Sequence, residues 1–254
     1  MELDNKYCMF LNDLFDDINV VNDKLAFDYR DRTGVSTALG KSNFVPYARK
    51  DKTLDGYTIY SVYASGDDSL TDVLLALKKK SFIKVDPQDY EYFLKRTAIF
   101  ITSKILRPTR CDIIITPRSS TNILNDILKY LQAQNPHIEF LPESYVKTVD
   151  LTRIEVDRAH PQITDKIAYG LERIIKNAQQ TGKFEIKKAL PQYRKFFRNF
   201  FEVVDPRLTK KFAGRNICVL DDVLSSGTTV VQILKDVANY APAEAFGCTL
   251  FKTK

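Results

Sequence analysis

The chain has 254 residues, 44% apolar and 28% charged, with 38 Lys and Arg against 32 Asp and Glu for a net charge of +6. A chain this long buries roughly three quarters of its unfolded surface and needs neither disulfides nor a structural metal, and no apolar run approaches the ~20 residues of a membrane-spanning helix. The acidic start "MELDNKYCMF" lacks a signal-peptide pattern, so a cytoplasmic location is expected, and the modest positive charge suits polyanionic small molecules as well as a weak nucleic-acid contact.

In chain order, residues 5–18 place Tyr7, Phe10, Leu11, Leu14, Phe15 and Ile18 on one helical face. "KLAFDYR" alternates as a strand does, residues 31–55 are polar with Gly34, Gly40 and Pro46 and read as a long loop, and "GYTIYSVYA" reads as a strand. "DDSLTDVLLALKKK" opens on acids and closes on three lysines, the charge order a helix dipole favours. "PQDYEYFLKRTAIFITSKIL" is a second helix with Pro87 near its first turn. Residues 1–106 are thus expected to form an N-terminal α+β region.

From residue 107 onward the pattern is that of an open α/β core. "CDIIITPRSS" is a short apolar strand and loop, "STNILNDILKYLQAQ" an amphipathic helix, and "HIEFLP" a second strand, the order of a βαβ unit with parallel strands. A basic insertion over 143–213 contains a helical pattern at Ile163, Ile167, Leu171, Ile174 and Ile175. Then follow the strand "NICVLDD", the helix "TTVVQILKDVANY" and the strand "EAFGCTLFK". The fold class expected is α/β: an open, mainly parallel sheet flanked by helices, with ligands at the carboxyl ends of its strands. Cys111, Cys218 and Cys248 lie in or beside apolar strands and read as buried reduced thiols. With Cys8 they form no CxxC pair, and the two histidines, His137 and His160, stand in different segments, so zinc is not expected.

The stretch "VLDDVLSSGTT" carries the chemistry. Ser225, Ser226, Gly227, Thr228 and Thr229, just ahead of a helix, make an anion cradle of backbone N–H groups, hydroxyls and the helix dipole. No lysine stands at the spacing of a Walker A loop. A bare phosphate would not favour Asp221 and Asp222 next door. A ligand with both a phosphate and a vicinal diol would, because carboxylates accept from hydroxyls or hold a hydrated Mg²⁺.

This stretch resembles the phosphoribosyl-pyrophosphate (PRPP) binding motif of type I phosphoribosyltransferases, with every motif position filled. The resemblance implies a phosphoribosyltransferase-like core and a transfer of ribose 5-phosphate from PRPP to a nitrogen acceptor, with pyrophosphate released and Mg²⁺ as cofactor. Asp221 and Asp222 would contact the ribose hydroxyls and hold Mg²⁺ through water. Ser225 to Thr229 would hold the 5-phosphate. "TPRSS" stands where the family has its pyrophosphate loop, giving that role to Thr116, Arg118 and Ser119. The partners implied are PRPP and a nucleobase-like acceptor. A membrane partner is not expected, no nucleic-acid module is recognisable, and a homodimer is left open. "YRKFFRNFFEV" with Arg198 and Asn199 also resembles competence-associated phosphoribosyltransferase-like proteins.

The sequence departs from the family in two places. Hypoxanthine-guanine members start the phosphate loop with an acid that assists at the purine; here Ser225 stands there and cannot act as a base alone, which argues against that specificity. The chain also ends just after its last strand, so a hood over the base would have to come from residues 1–100 or from 143–213. The basic insertion residues Lys147, Arg153, Arg158 and His160 read as a mobile loop over pyrophosphate or as a solvated face. The aromatic run 193–201 reads as core with surface cations rather than as a base-stacking platform. Two rivals share the motif: a non-catalytic PRPP- or nucleotide-binding regulator, and a transferase with another activated ribosyl donor.

Overall fold

The structure is a computed structural model and describes residues 18–21, 24–27, 49–54, 56–64, 75, 77–78, 84–85, 87–119 and 121–252. The strands are β1 (Ile18–Val21), β2 (Lys24–Phe27), β3 (Arg49–Leu54), β4 (Tyr57–Ala64) and β5 (Lys84–Val85). Helix α1 (Pro87–Ile101) runs on through a π-helical turn at Thr102–Leu106. Then come β6 (Ile113–Pro117), α2 (Ile123–Gln134), β7 (Glu139–Lys147), β8 (Glu155–Val156), α3 (Asp165–Thr181), β9 (Phe197–Arg198), β10 (Phe201–Val203), β11 (Asn216–Leu224), α4 (Thr228–Ala238) and β12 (Glu244–Lys252).

The main sheet has the order β10-β7-β6-β11-β12-β4-β3. Its five central strands are parallel, and β10 and β3 close the edges antiparallel. This is the open, mainly parallel sheet flanked by helices. Strands β3 and β4 come from the N-terminal region, so the sheet crosses residue 107 and draws on both sides of it. Polar β3, "RKDKTL", falls inside the stretch read from sequence as loop. Among the described residues it pairs on one side only, and an edge strand needs no apolar face to hold its ladder. The helix expected over 5–18 lies outside the described residues except for Ile18, which begins β1.

Strand residues alternate between two cores, as the period-two geometry of a strand dictates. Ile114, Cys218, Leu220 and Cys248 face α1 and α2, packing with Phe93, Leu94, Ile101, Ile127 and Leu131. Ile113, Ile115, Ile217 and Val219 face α4, packing with Val230, Ile233, Leu234 and Val237. The three described cysteines are buried and unpaired. A third cluster lies within the insertion, where Ile154, Leu171, Ile175, Phe196, Phe197 and Phe200 bury one another. The aromatic run is therefore core: its cations turn outward, with Arg198 on Asp157 at 2.5 Å. Arg153 pairs with Glu202 and Arg158 with Glu172, so these insertion cations are engaged by acids of the same chain region. Among the described residues no helix is long and apolar enough to cross a membrane.

Helix α4 sits tightly on β12 because Gly247 has no side chain. A Cβ there would lie 2.5 Å from Val230 Cγ1 and 3.2 Å from Ile59 Cγ1. Gly247→Ala should therefore destabilise the fold by about 1–3 kcal/mol, since an overpacked core must shift helix or strand. Adding Val230→Ala should recover part of that loss. Chemical denaturation of the two single variants and the double variant reads the coupling; a Gly247→Ala midpoint equal to wild type would refute the close contact.

Candidate functional site

Two crossovers leave the sheet in opposite directions. From β6 the chain passes through α2 on one face to β7, and from β11 through α4 on the other face to β12. β6 and β11 are neighbours and parallel, with Ile217 opposite Ile113 and Val219 opposite Ile115. Between their carboxyl ends lies the topological switch point, the crevice where open α/β sheets bind ligands. Neighbouring strands lie about 4.8 Å apart, so the loops after β6 and β11 open side by side. Their pairing ends at Val219 opposite Ile115, two residues before Asp221 on β11 and three before Arg118 beyond β6.

The acids do not end their strand. β11 continues to Leu224, with Val223 opposite Phe251 and Leu224 opposite Lys252 on β12. Apolar Val223 and Leu224 keep the ladder going past two carboxylates, which a reading of the "NICVLDD" run alone could not foresee. Asp221 is 8% exposed and shares a register row with Thr249 and Ser61, both fully buried and joined through their hydroxyls at 3.0 Å. A polar row thus crosses β11, β12 and β4 inside the sheet.

Each carboxylate is held. The N–H of Asp222 donates to Asp221 Oδ1 at 2.8 Å, and Lys78 Nζ donates to Asp222 Oδ2 at 2.5 Å. Burial, reinforced by the neighbouring Asp222 charge, pushes the Asp221 carboxyl up to about 7 from its ordinary 3.8, while that N–H and Lys78 pull the other way. Lys78 was not singled out from sequence. It sits in a run of three lysines that reads as the exposed end of a helix, where Leu75 and Leu77 are helical and Lys78 is in a turn. Its approach to Asp222 is a tertiary fact with no local signal.

The loop after β11 has the shape of an anion cradle. Ser225 is exposed, Ser226 and Thr229 are partly so, and Gly227 and Thr228 are buried. Gly227 is the N-cap of α4 in the left-handed region, φ 70°, ψ 0°, which glycine adopts without steric penalty. Its carbonyl accepts the first helical bond from Val231 N–H at 2.9 Å. As a glycine, the N-cap residue offers no side-chain cap to the first N–H groups of the helix. Ser226 and Thr228 hydroxyls bond each other at 2.8 Å.

The loop after β6 is built differently. Thr116 is 1% exposed, and its Oγ1 accepts the Glu143 N–H at 2.9 Å. It pins a bulge in β7, where the register slips between Ile115 and Pro117 and Glu143 takes φ 49°. The bulge turns the Glu143 carboxylate toward Arg118 Nε at 3.3 Å and Asn125 Nδ2 at 3.3 Å. Thr116 thus lies under the loop, and Arg118 and Ser119 are its surface side chains. Arg118 is 61% exposed, so its pair with Glu143 is weak and readily exchanged. Ser119 Oγ accepts from Thr121 N–H at 3.2 Å, and Ser120 lies outside the described residues. Arg198 and Asn199 stand apart from both loops, in a separate pocket of about 380 Å³ that also contains Gln232 and Asp236.

As a metal site, the crevice supplies two carboxylates. Among the described residues, no three His, Cys, Asp or Glu side chains gather as a metal cage. Two carboxylates suit Mg²⁺, which keeps several waters and takes its remaining ligands from substrate phosphates.

No protein-family model matches the sequence, and none of the curated proteins matches it. Among solved structures the chain is similar to a hypoxanthine phosphoribosyl transferase of Trypanosoma cruzi, at 9% identity over 65% of this chain and 67% of that one, with a TM-score of 0.37. It is also similar to a hypoxanthine-guanine phosphoribosyltransferase of Bacillus anthracis, at 11% identity over 64% and 68% with a TM-score of 0.33. A hypoxanthine phosphoribosyltransferase of Staphylococcus aureus matches at 7% identity over 64% and 65%, with a TM-score of 0.35.

Proposed function

We propose that this chain is a phosphoribosyltransferase that moves ribose 5-phosphate from PRPP to a nitrogen acceptor, a nucleobase by chemical class. The observation that carries the reading is the meeting of three features at one switch point: the acid pair, the left-handed Gly227 at the uncapped start of α4, and the Arg118–Ser119 loop on the adjacent strand. A ligand with a phosphate at one end, a diol in the middle and a pyrophosphate at the other matches that order. In this reading the N–H groups and hydroxyls of Ser225–Thr229 hold the 5-phosphate. Asp221 and Asp222 accept from the ribose 2- and 3-hydroxyls. Arg118 and Ser119 donate to pyrophosphate through charge-assisted and neutral hydrogen bonds.

Transfer breaks the bond from ribose C1 to the pyrophosphate oxygen and forms one from C1 to the acceptor nitrogen. Pyrophosphate leaves with the electron pair, and the acceptor's proton passes to water. Positive charge develops on the ribose ring, and the Asp222 carboxylate beside the hydroxyls favours it. The chain's part is to align the ends and exclude water; no covalent nucleophile is needed. Mg²⁺, held through water by Asp221 and Asp222, would offset the charge of the leaving pyrophosphate when bound.

Binding is tested with a small matrix of dissociation constants. Arg118→Ala should weaken PRPP and pyrophosphate about tenfold or more while sparing a nucleoside 5′-monophosphate. Gly227→Val, strained at φ 70°, should weaken the monophosphate and PRPP and spare pyrophosphate. Equal loss of all three ligands in both variants would refute two separate phosphate sites. Pyrophosphate release with a panel of bases then tests turnover, and binding without release would leave a nucleotide-binding regulator.

Asp221 should also tie stability to pH. Its folded-state value near 7 exceeds the ordinary 3.8, so the native state holds its proton more tightly than the unfolded chain. The stability it contributes is fully present at acid pH and is lost as pH rises toward 7. Asp221→Asn removes the titration, so its stability relative to wild type should grow by on the order of 2–4 kcal/mol between about pH 5 and about pH 8. Urea denaturation of both proteins at the two pH values measures this. A constant difference would mean that Asp221 is not held in a poorly solvated site.

A further inference from the structure

The cation at the acid pair comes from an unexpected part of the chain. Lys78 belongs to the N-terminal region, yet its ammonium contacts Asp222 at 2.5 Å, with side chains only 15% and 13% exposed. The same lysine lines a second feature, a cavity of about 190 Å³ shared with Thr121, Asn122 and Ile123 at the start of α2, and with Tyr90 and Asp126. That helix start directly follows the Arg118–Ser119 loop and favours anions through its dipole. Asp126 is already satisfied there by the Tyr90 hydroxyl at 3.2 Å and by Lys129 at 2.9 Å. Lys78 thus stands between the ribose end and the pyrophosphate end of the site proposed above. Its flexible four-carbon stem lets one ammonium serve either.

We propose, on the basis of that reading, that Lys78 is a further ligand-binding residue: it neutralises Asp222 in the free protein, keeps divalent metal off the acid pair, and moves onto pyrophosphate when metal and ligand arrive together. The physical reason is charge conservation in a poorly solvated place. If Lys78 left alone, Asp222 would remain as an unpaired, largely buried carboxylate, which is strongly unfavourable. If metal arrived alone, the ammonium would be displaced without a new partner. A metal–pyrophosphate ligand satisfies both at once, since the metal replaces Lys78 at Asp222 and the phosphate oxygens receive the ammonium. Metal and pyrophosphate are then coupled through a single side chain, and the coupling is reciprocal.

The test uses the full chain and two simple probes: Mn²⁺ alone, followed by electron paramagnetic resonance, and inorganic pyrophosphate with Mn²⁺ or with chelator, followed by calorimetry. Lys78→Met should bind Mn²⁺ alone about tenfold tighter than wild type, and pyrophosphate about tenfold more weakly when Mn²⁺ is present but not in chelator, where wild-type Lys78 stays on Asp222. Lys78→Arg, which retains the charge, should stay near wild type for both. Asp222→Asn, which frees Lys78 and leaves its reach intact, should bind pyrophosphate more tightly than wild type. A purely structural Lys78 would not move the two affinities in opposite directions. Should Lys78→Met fold poorly, the Asp222→Asn arm decides alone. Unchanged Mn²⁺ affinity in Lys78→Met, or unchanged pyrophosphate affinity in Asp222→Asn, overturns the proposal even if PRPP binds wild type well. Opposite shifts support it even if PRPP turns out not to be a ligand.

Discussion

Two carboxylates on consecutive residues of a buried strand are the constraint around which the rest of the site is arranged. Like charges this close, largely removed from water, cannot both stay ionised without help. The help comes from three directions. The backbone N–H of Asp222 reaches back to Asp221, Lys78 reaches Asp222 from the N-terminal region, and Asp221 retains a proton near neutral pH. None of these serves the sheet, which would be more stable with apolar residues at both positions. The strain is kept where a ligand would relieve it, and strained or poorly solvated groups concentrate at such positions.

The sheet fixes where that relief can act. Because β6 and β11 send their helices to opposite faces, neither of these two crossovers covers the carboxyl ends between them. The position of α4 then sets where the Ser225–Thr229 loop lies relative to the acids. Its start is set by Gly227 and its depth by the contact of Val230 against Gly247. On its far side Gln232 donates to the Phe197 carbonyl at 2.5 Å, so the insertion is fastened to the same helix. The insertion is thereby a buttress for the helix that carries the cradle.

Much of this was legible in the sequence, for identifiable reasons. The apolar runs at Ile113–Ile115 and Ile217–Leu220 and the helical spacing in α2 and α4 are local signals, and each element stands where its pattern put it. The turn from β11 into α4 was legible because a glycine among hydroxyl residues just ahead of an apolar periodic run marks a helix start. Polar β3 was not, since its strand state comes from pairing with β4. Nor was Thr116's place beneath the loop, because a threonine at a strand end looks the same whether it faces a ligand or pins a bulge. Lys78 was hidden most completely: its ion-pair partner, Asp222, lies 144 positions along the chain (222 − 78).

The charged groups of the crevice share one property that bears on what it can bind. Arg118 is paired with Glu143, and Lys78 with Asp222. Each cation offered to an anionic ligand is already neutralised by an internal carboxylate. A simple anion therefore gains little, because taking a cation strands its acid. A simple metal ion gains little for the converse reason. Glu143 is partly exposed and can be left to water at small cost, whereas Asp222, at 13% exposure, cannot. On the reading proposed above, a phosphate would take Arg118 at little cost, while Lys78 would leave Asp222 only for a ligand that brings a positive charge with its negative one. On that reading a sugar diphosphate carrying a divalent cation would meet the condition, and a free monophosphate would not. The discrimination lies less in the loops that would touch the phosphates than in how deeply each counter-acid is buried.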